Sequence, residues 1–380
     1  MLQSLLFGSR GSRGCLVFCA CAVHPACSGA AEPEAAGVSG PAVTPSADDP
    51  CNLASGFEGD ELCILPPAAD EGIQIHVGPA SYTDEEALAP YVIDGGDEDV
   101  RCYLVEIPKS GFYYLKQENR MRSGSHHMLV NLVADEGQPE GPVNCDSTQR
   151  IASIPGSQTA ARDFPDQLGP EDEGLARYLP EGAMASFQLH YVNTGKTRLL
   201  REAWVNLYEL DESNVSQQLQ SVFLVADLAV NVAPHTQQFV TNRFTPNLTE
   251  PTRIFELNAH MHAHTESFAV WRVRGAEQDL VYKSFDWSDP DELTYNSVVT
   301  NPAPDEHDRK DGGHTGALVL EPGDALEWTC DVNNTLDTSL KFANAAYTAE
   351  MCLLAGAYVS DTSGLFQSFC AGGTCADKSK

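Results

Sequence analysis

The sequence predicts an all-β protein built from antiparallel sandwiches. Short runs in which apolar and polar residues alternate recur along the chain, and Gly, Pro, Asn and Asp separate them, whereas helical periodicity is hard to find. Many short strands with turn residues between them are typical of sandwiches and barrels. The runs are CYLVEI (102–107), HMLVNLV (127–133), SFQLHYV (186–192), EAWVNLYEL (202–210), SVFLVADLAV (221–230), ALVLE (317–321) and CLLAGAYV (352–359).

Two β domains are expected. The chain has 380 residues, and because a typical domain has roughly 150 residues, two domains are expected. The polar stretch DESNVSQQ (211–218) is the best candidate for a boundary, which predicts domains over 51–212 and 213–380. Residues 32–50 are rich in Pro, Ala and Gly and lack apolar periodicity, so they are predicted to form a disordered tether.

Residues 1–31 are predicted to be a secretory signal. Two arginines precede the apolar stretch CLVFCACAV (15–23), and small residues follow it up to Ala31. No other segment approaches the roughly 18 apolar residues that a membrane-spanning helix needs. We therefore expect an exported protein without a transmembrane segment, with a lipid anchor on a leader cysteine as the alternative.

Eight cysteines follow the leader, and an even number in an exported protein favours disulfides. Zinc held by CxxC pairs is not expected, because none of the eight has that spacing. The sequence leaves the connectivity open, and pairing between neighbours along the chain is our guess. The guessed pairs are Cys51 with Cys63, Cys102 with Cys145, Cys330 with Cys352, and Cys370 with Cys375.

The charge balance excludes one class of partner. Lys and Arg number 23 against 54 Asp and Glu, for a formal net charge of −31. A chain this acidic is repelled by phosphate backbones and by anionic membrane surfaces. Nucleic acid is therefore not expected as a partner.

Three histidines occupy alternate positions in LNAHMHAHTESF (257–268). His260, His262 and His264 share one parity, and Ala and Met residues take the other. Period two predicts a strand with one apolar face and one face of imidazoles. Imidazoles two positions apart can chelate one metal ion, so a metal site is predicted here; histidines exposed on a polar strand face are the alternative.

Two more stretches carry candidate ligands. His126 and His127 are adjacent, and a regular strand would turn them to opposite faces, so both can bind one ion only if Ser123-Gly124-Ser125 makes the strand irregular. In SFQLHYV, Gln188 and His190 share a strand face. A lone strand histidine is more often a hydrogen-bonded core residue than a ligand.

A methionine is the fourth candidate. Met351 lies in AYTAEMCLLAGAYV (346–359), where a methionine would ordinarily fill the core. As a ligand it would be informative, because a thioether combined with imidazoles and no carboxylate suits copper(I) better than zinc, magnesium or calcium.

Together, the motifs HHM, QLHY, HMH and EMC occur in an order that resembles the copper type II, ascorbate-dependent monooxygenases. This is the family of peptidylglycine α-hydroxylating monooxygenase and dopamine β-monooxygenase. The resemblance covers most of residues 90–360 and includes CYLVEIP (102–108) before HHM and WRV (271–273) after HMH.

The resemblance implies two antiparallel jelly-roll sandwiches that face each other across a cleft, with one copper ion in each. It implies a reaction that places one atom of O₂ on a carbon of a small organic substrate and reduces the other to water, with electrons from ascorbate or a similar reductant. It also implies that Cys102 pairs with Cys145 and Cys330 with Cys352, and that His264 is not a ligand. The implied ligands are His126, His127 and His190 in the first site and His260, His262 and Met351 in the second; His260, His262, Met351 and Gln188 are the implied catalytic residues.

The match breaks at three positions. Thr265 stands where many members have glycine, and Asn258 and Ala355 stand where the peptide-amidating members grip a substrate carboxylate with arginine and tyrosine. A glycine-extended peptide is therefore a doubtful substrate.

Two other interpretations remain open. His260, His262 and Glu266 satisfy the His-x-His-x₃-Glu spacing of cupins, which would hold one iron or manganese in a β-barrel, but this leaves HHM, QLHY and EMC unexplained. The second is a secreted copper-binding protein without turnover, because metal-ligating residues indicate that a metal binds but do not identify a substrate.

Overall fold

The computed structural model of the chain describes residues 48–145, 150–165, 167–225, 230–301, 316–371 and 374–377, with only the backbone described at 225 and beyond 366. The predicted leader and almost all of the tether lie outside these ranges. Within them, no helix is long and apolar enough to cross a membrane.

The first half of the described chain is a sandwich of two antiparallel sheets. One sheet has the order β1–β12–β4–β9 with β8 beside β4, the other has the order β6–β3–β10–β5–β7, and β2 pairs with β11. Their inner faces enclose an apolar core that includes Ile75, Val130, Phe187, Leu189 and Val205. The strands are β1 (Gly72–Val77), β2 (Val92–Ile93), β3 (Glu98–Glu106), β4 (Phe112–Met121), β5 (Ser125–Ala134), β6 (Gly141–Val143), β7 (Arg150–Ser157), β8 (Ala161–Phe164), β9 (Leu175–Leu179), β10 (Ala183–Val192), β11 (Leu199–Leu200) and β12 (Ala203–Leu210).

The second half is also a sandwich. One sheet has the order β13–β23–β16–β19, with β20 beside β16 and the β24–β25 hairpin beside β13; the other has the order β15–β21–β17–β18, and β14 pairs with β22. A second core lies between them and includes Val240, Leu257, Phe268, Trp328 and Leu354. The strands are β13 (Gln217–Val225), β14 (Asn231–Val232), β15 (Thr236–Phe244), β16 (Thr252–Met261), β17 (Thr265–Arg274), β18 (Glu277–Ser284), β19 (Glu292–Thr294), β20 (Leu318–Leu320), β21 (Ala325–Asn334), β22 (Leu340–Lys341), β23 (Cys352–Val359), β24 (Gln367–Ala371) and β25 (Thr374–Asp377).

The all-β prediction is confirmed, because helices are confined to short turns in the described part of the chain. They are α1 (Glu85–Leu88) and the 3-10 turns Asp60–Leu62, Pro170–Asp172 and Glu212–Asn214. The predicted boundary after residue 212 falls between the last residue of the first core, Leu207, and the first residue of the second, Val222.

The two sandwiches are joined edge to edge. Strands β9 and β13 pair in parallel through Leu175 with Gln217 and Ala176 with Gln218, which makes one continuous sheet across both halves. A small apolar cluster that includes Phe164, Leu175 and Phe255 packs at this junction. The junction sets the position of one sandwich against the other, and the candidate site lies where they meet.

Three of the guessed disulfides are confirmed. They are Cys51–Cys63, Cys102–Cys145 and Cys330–Cys352. The fourth guess concerns Cys370 and Cys375, which are opposite each other in the β24–β25 register but whose side chains lie outside the described part. Disulfides form and persist in oxidising compartments, so the protein is suited to an extracellular or similar environment.

Candidate metal centre

Five imidazoles from both sandwiches converge at the junction. They form what we name the histidine cluster: His126 and His127 on β5, His190 on β10, His260 at the end of β16, and His262 just after it. The ring centroids of His127 and His260 are 4.9 Å apart, those of His126 and His260 are 5.2 Å apart, and those of His126 and His262 are 5.5 Å apart. Rings contributed by the two halves are therefore in direct contact.

A bulge at the start of β5 lets adjacent histidines face the same site. His127 pairs with His190 on β10, but the next β10 residue, Tyr191, pairs with Ser125, so His126 is an extra residue in the ladder. Gly124 precedes the bulge with a φ of 83°, in the left-handed region that glycine tolerates best. The irregular strand predicted around Ser123-Gly124-Ser125 is thus present.

The row of alternating histidines is interrupted by a turn. Strand β16 ends at Met261, and the turn before β17 is closed by the amide of Thr265, which donates to the carbonyl of His262 at 3.1 Å. The prediction that all three histidines share one strand face was therefore wrong. His260 and His262 both reach the cluster, whereas His264 donates from Nε2 to the carbonyl oxygen of Tyr347 at 2.9 Å.

Polar partners orient three of the imidazoles. Nε2 of His190 hydrogen bonds the carboxylate of Glu98 at 2.8 Å. Nδ1 of His260 donates to Oε1 of Gln158 at 2.7 Å. Nδ1 of His262 lies 3.3 Å from the Ala349 carbonyl oxygen. A histidine that donates from one ring nitrogen presents a lone pair on the other, which is the arrangement of metal-ligating histidines.

Three ring nitrogens of the cluster are buried and have no hydrogen-bond partner among the described residues. They are Nε2 of His126, Nδ1 of His127 and Nε2 of His262. An unsatisfied buried polar atom is costly and is rare in folded proteins. Candidate ligand nitrogens of His126, His260 and His262 also lie within 4.8 Å of one another, so the residues present fit a bound metal ion.

Burial keeps the imidazoles neutral. Loss of hydration lowers the pKa of His126 to about 2 and that of His262 to about 4, and neighbouring imidazoles add to the effect. The pKa values of His127 and His260 are lowered well below the usual value for the same reasons. Burial also lowers the pKa of His190, although Glu98 opposes the shift. Neutral imidazole is the form that binds metals.

The structure groups the predicted ligands differently from the resemblance. Candidate ligand atoms of His126, His260 and His262 all lie within 4.8 Å of one another, so this trio combines histidines expected in two separate sites. His127 and His190 adjoin it, with His190 Nδ1 at 3.3 Å from His127 Nε2. The assignment of two copper ions remains a prediction.

A cavity of about 460 Å³ adjoins the cluster and is lined by both sandwiches. Met351 is 8% exposed and packs with Leu353, Phe223 and Phe342. The predicted site residues His127, Gln188, His260 and Met351 all lie on the cavity wall. The cavity is of a size that holds a small organic molecule.

Sequence reasoning missed the residues that support the imidazoles. Glu98 accepts from His190 in its own sandwich and also from the backbone amide of Ala346 in the other. Gln158 likewise reaches across the junction to His260. These partners are 92 and 102 positions apart in the chain, so no local pattern could reveal them.

Glu350 is the first residue of the predicted EMC motif, but its role was overlooked. Its carboxylate accepts from the backbone amides of His262 at 2.7 Å and Met351 at 2.9 Å. Burial raises the pKa of Glu350 to about 7. Its place beside Met351 in the sequence was the available signal.

The carboxylate that a cupin would need is not in the cluster. Glu266 is exposed and accepts hydrogen bonds from Asn333 at 2.7 Å and Gln237 at 3.3 Å. The turn after His262 separates it from the imidazoles, so the His-x-His-x₃-Glu spacing does not make a site here.

No protein-family model and no curated protein matches this sequence. The similar solved structures include one described as "Crystal Structure of the STIV MCP", with 9% identity, coverage of 76% of this chain and 97% of that chain, and a TM-score of 0.29. A structure of the Macrobrachium rosenbergii nodavirus has 10% identity, coverage of 77% and 89%, and a TM-score of 0.16. At these TM-scores, neither structure supports a conclusion about the site or its chemistry.

Proposed function

We propose that the protein is a copper-dependent monooxygenase that hydroxylates a C–H bond of a small organic substrate with O₂ and an ascorbate-like reductant. The observation that carries the proposal is the histidine cluster. Its neutral imidazoles leave buried nitrogens without hydrogen-bond partners among the described residues, beside a cavity that Met351 also lines. The order of motifs in the sequence supports the same chemistry.

The donor set favours copper over other metals. Imidazoles suit zinc, copper, iron and nickel, whereas a thioether such as that of Met351 selects copper(I). Carboxylates contribute through hydrogen bonds: Glu98 holds His190, and Glu350 holds backbone amides. Bound copper would supply one-electron cycling between the +1 and +2 states for the reduction of O₂.

The remaining residues orient the site and shield it. Glu98 and Gln158 fix two imidazoles from opposite sides of the junction. The indole of Trp287 lies 5.3 Å from the ring of His126 and 5.5 Å from that of Tyr347, so it covers one side of the cluster. Gln188 lines the cavity and offers an amide for a polar group of the substrate.

Copper content tests the first half of the proposal. Protein loaded with copper and desalted should retain nitrogen-coordinated copper, measured by elemental analysis and electron paramagnetic resonance. His127→Ala and His260→Ala should each retain less copper, whereas His235→Ala should match the parent because that side chain is 62% exposed and paired with Asp337. No retained copper, or equal copper in all variants, would contradict the proposal.

Oxygen consumption tests the second half. The copper-loaded protein should consume O₂ when ascorbate is supplied, and Met351→Ala should abolish this while part of the copper stays bound. Met184→Ala is the matched control, since Met184 is buried in a separate apolar cluster with Leu104 and Val133. Copper retention without O₂ consumption would instead identify a copper-binding protein without turnover.

A further inference from the structure

One buried cation on the cavity wall, Arg177, has no hydrogen-bonding or anionic partner among the side chains that the structure describes. Arg177 on β9 is 5% exposed, yet it makes no hydrogen bond or ion pair with any residue that the structure describes, and its Nε is fully enclosed. Its guanidinium lies over the ring of Phe164, 5.4 Å from the centroid. Arginine is almost never fully buried without a partner, because removing its charge from water is strongly unfavourable.

The nearest carboxylates are engaged elsewhere. Glu256 lies close enough to Arg177 to interact through space, but its Oε1 is held by Arg162 at 2.7 Å. Arg162 in turn reaches Glu292 at 2.6 Å, and its own positive charge opposes that of Arg177. Within the described part of the chain, Arg177 is therefore left without a direct anion.

The cavity wall carries a local excess of positive charge. Three arginines and two glutamates line it, which leaves one formal positive charge in a chain whose net charge is −31. The charged residues are Arg150, Arg162, Arg177, Glu256 and Glu292.

The rest of the wall supplies apolar surface. Phe223, Phe342 and Leu353 pack around Met351 and face the same cavity. A ligand that carries one negative charge and an apolar body would satisfy both parts of the wall, whereas a dianion would exceed the single unbalanced charge.

We propose that the cavity binds a small aryl or alkyl monocarboxylate, with Arg177 as the partner of the carboxylate and the apolar body against Phe223 and Phe342. The fork of a guanidinium matches a carboxylate in a two-point hydrogen-bonded pair. This subsite differs from the positions at which the resemblance would place carboxylate-binding residues, which are Asn258 and Ala355 here. That this ligand is a substrate rests on the proposed monooxygenase function. That the cavity binds it does not depend on that function.

Calorimetric titration of the metal-free protein tests the subsite directly. The probes are phenylacetate, 3-phenylpropionate and 4-phenylbutyrate, compared with neutral phenylacetamide, cationic 2-phenylethylamine and phenylphosphate. At least one carboxylate should bind, and phenylacetamide and 2-phenylethylamine should bind at least roughly tenfold more weakly, because a hydrogen-bonded charge pair contributes about 1.5–3 kcal/mol.

The matched variants are Arg177→Met and Arg198→Met. Arg177→Met should weaken carboxylate binding by roughly 10- to 100-fold and should raise the Tm of the ligand-free protein, because it replaces an unpaired buried charge with an apolar chain of similar length. Arg198, 51% exposed in a loose pair with Glu85, should tolerate the change without loss of binding. Arg177→Lys, which keeps the charge without the fork, should fall between the parent and Arg177→Met.

Three results would overturn the inference: no binding of any carboxylate, equal binding by Arg177→Met and the parent, or stronger binding of phenylphosphate or 2-phenylethylamine. Failure of this subsite is distinguishable from failure of the proposed function. Loss of copper retention with intact carboxylate binding would contradict the monooxygenase alone, and the reverse would contradict the carboxylate subsite alone.

Discussion

Acidification of the metal-free protein should destabilise it through the buried histidines. An unfolded histidine has a pKa of about 6.5, whereas burial lowers the pKa of His126 to about 2 in the folded protein. When folding lowers the pKa of a group, that group does not reduce the stability of the folded protein at pH values above its pKa in the unfolded chain. Stability is then lost as the pH falls from the unfolded pKa towards the folded one, since only the unfolded chain takes up the proton.

The magnitude follows from the width of that window. Each such histidine lowers the free energy of unfolding by about 1.4 kcal/mol for each pH unit, so His126 alone contributes a loss of about 2 kcal/mol between about pH 7.5 and pH 5. Glu350 has the opposite sign, because burial raises its pKa to about 7. Protonation of Glu350 stabilises the folded protein as the pH falls through that value. The total pH dependence of the free energy of unfolding therefore does not isolate the histidines.

A variant isolates the contribution of one ring. The free energy of unfolding of the parent and of His126→Gln is measured by urea denaturation with a chelator present, at about pH 7.5 and about pH 5. The difference between the two proteins should shift by about 2 kcal/mol in favour of the variant at the lower pH. His235→Gln removes an exposed imidazole and should show no such shift. Parallel pH dependence of the parent and His126→Gln would refute the reasoning, because it would mean that the folded protein accepts the proton.

Three further changes have expected outcomes. Replacing both Cys330 and Cys352 by Ala opens a link between residues 22 positions apart and should cost about 3 kcal/mol in the free energy of unfolding, measured by urea denaturation. Gln158→Leu leaves the N–H of His260 unsatisfied and should weaken copper binding by roughly 10- to 100-fold in a competitive chelator titration. Gly356→Ala would place a Cβ 2.0 Å from a backbone carbonyl oxygen of β16 at a φ of 150° and should lower the free energy of unfolding by about 3 kcal/mol; an unchanged Tm would show that the strand can shift.

Local patterns in the sequence predicted several of the strands and the short-range disulfides. Short alternating or apolar runs between turn residues identified β3, β5, β10 and β23, although β10 is buried along almost its whole length. Pairing of cysteines that are neighbours in the chain was confirmed for Cys51 with Cys63 and for Cys102 with Cys145. The same kind of pattern failed at His262, where the hairpin turn begins inside a run that alternates like a strand.

Strand periodicity and motif order are local properties of the chain, so they were enough to predict the all-β class and to name all five imidazoles of the histidine cluster. The packing of the sheets brings histidines of both halves into one cluster and lets Glu98 and Gln158 orient them across the junction. It also leaves Arg177 buried without an anion among the described residues. These features arise where two sandwiches meet through one short parallel pairing, β9 with β13. Contacts between residues about a hundred positions apart depend on how whole sheets pack, and no local pattern in the chain encodes that packing.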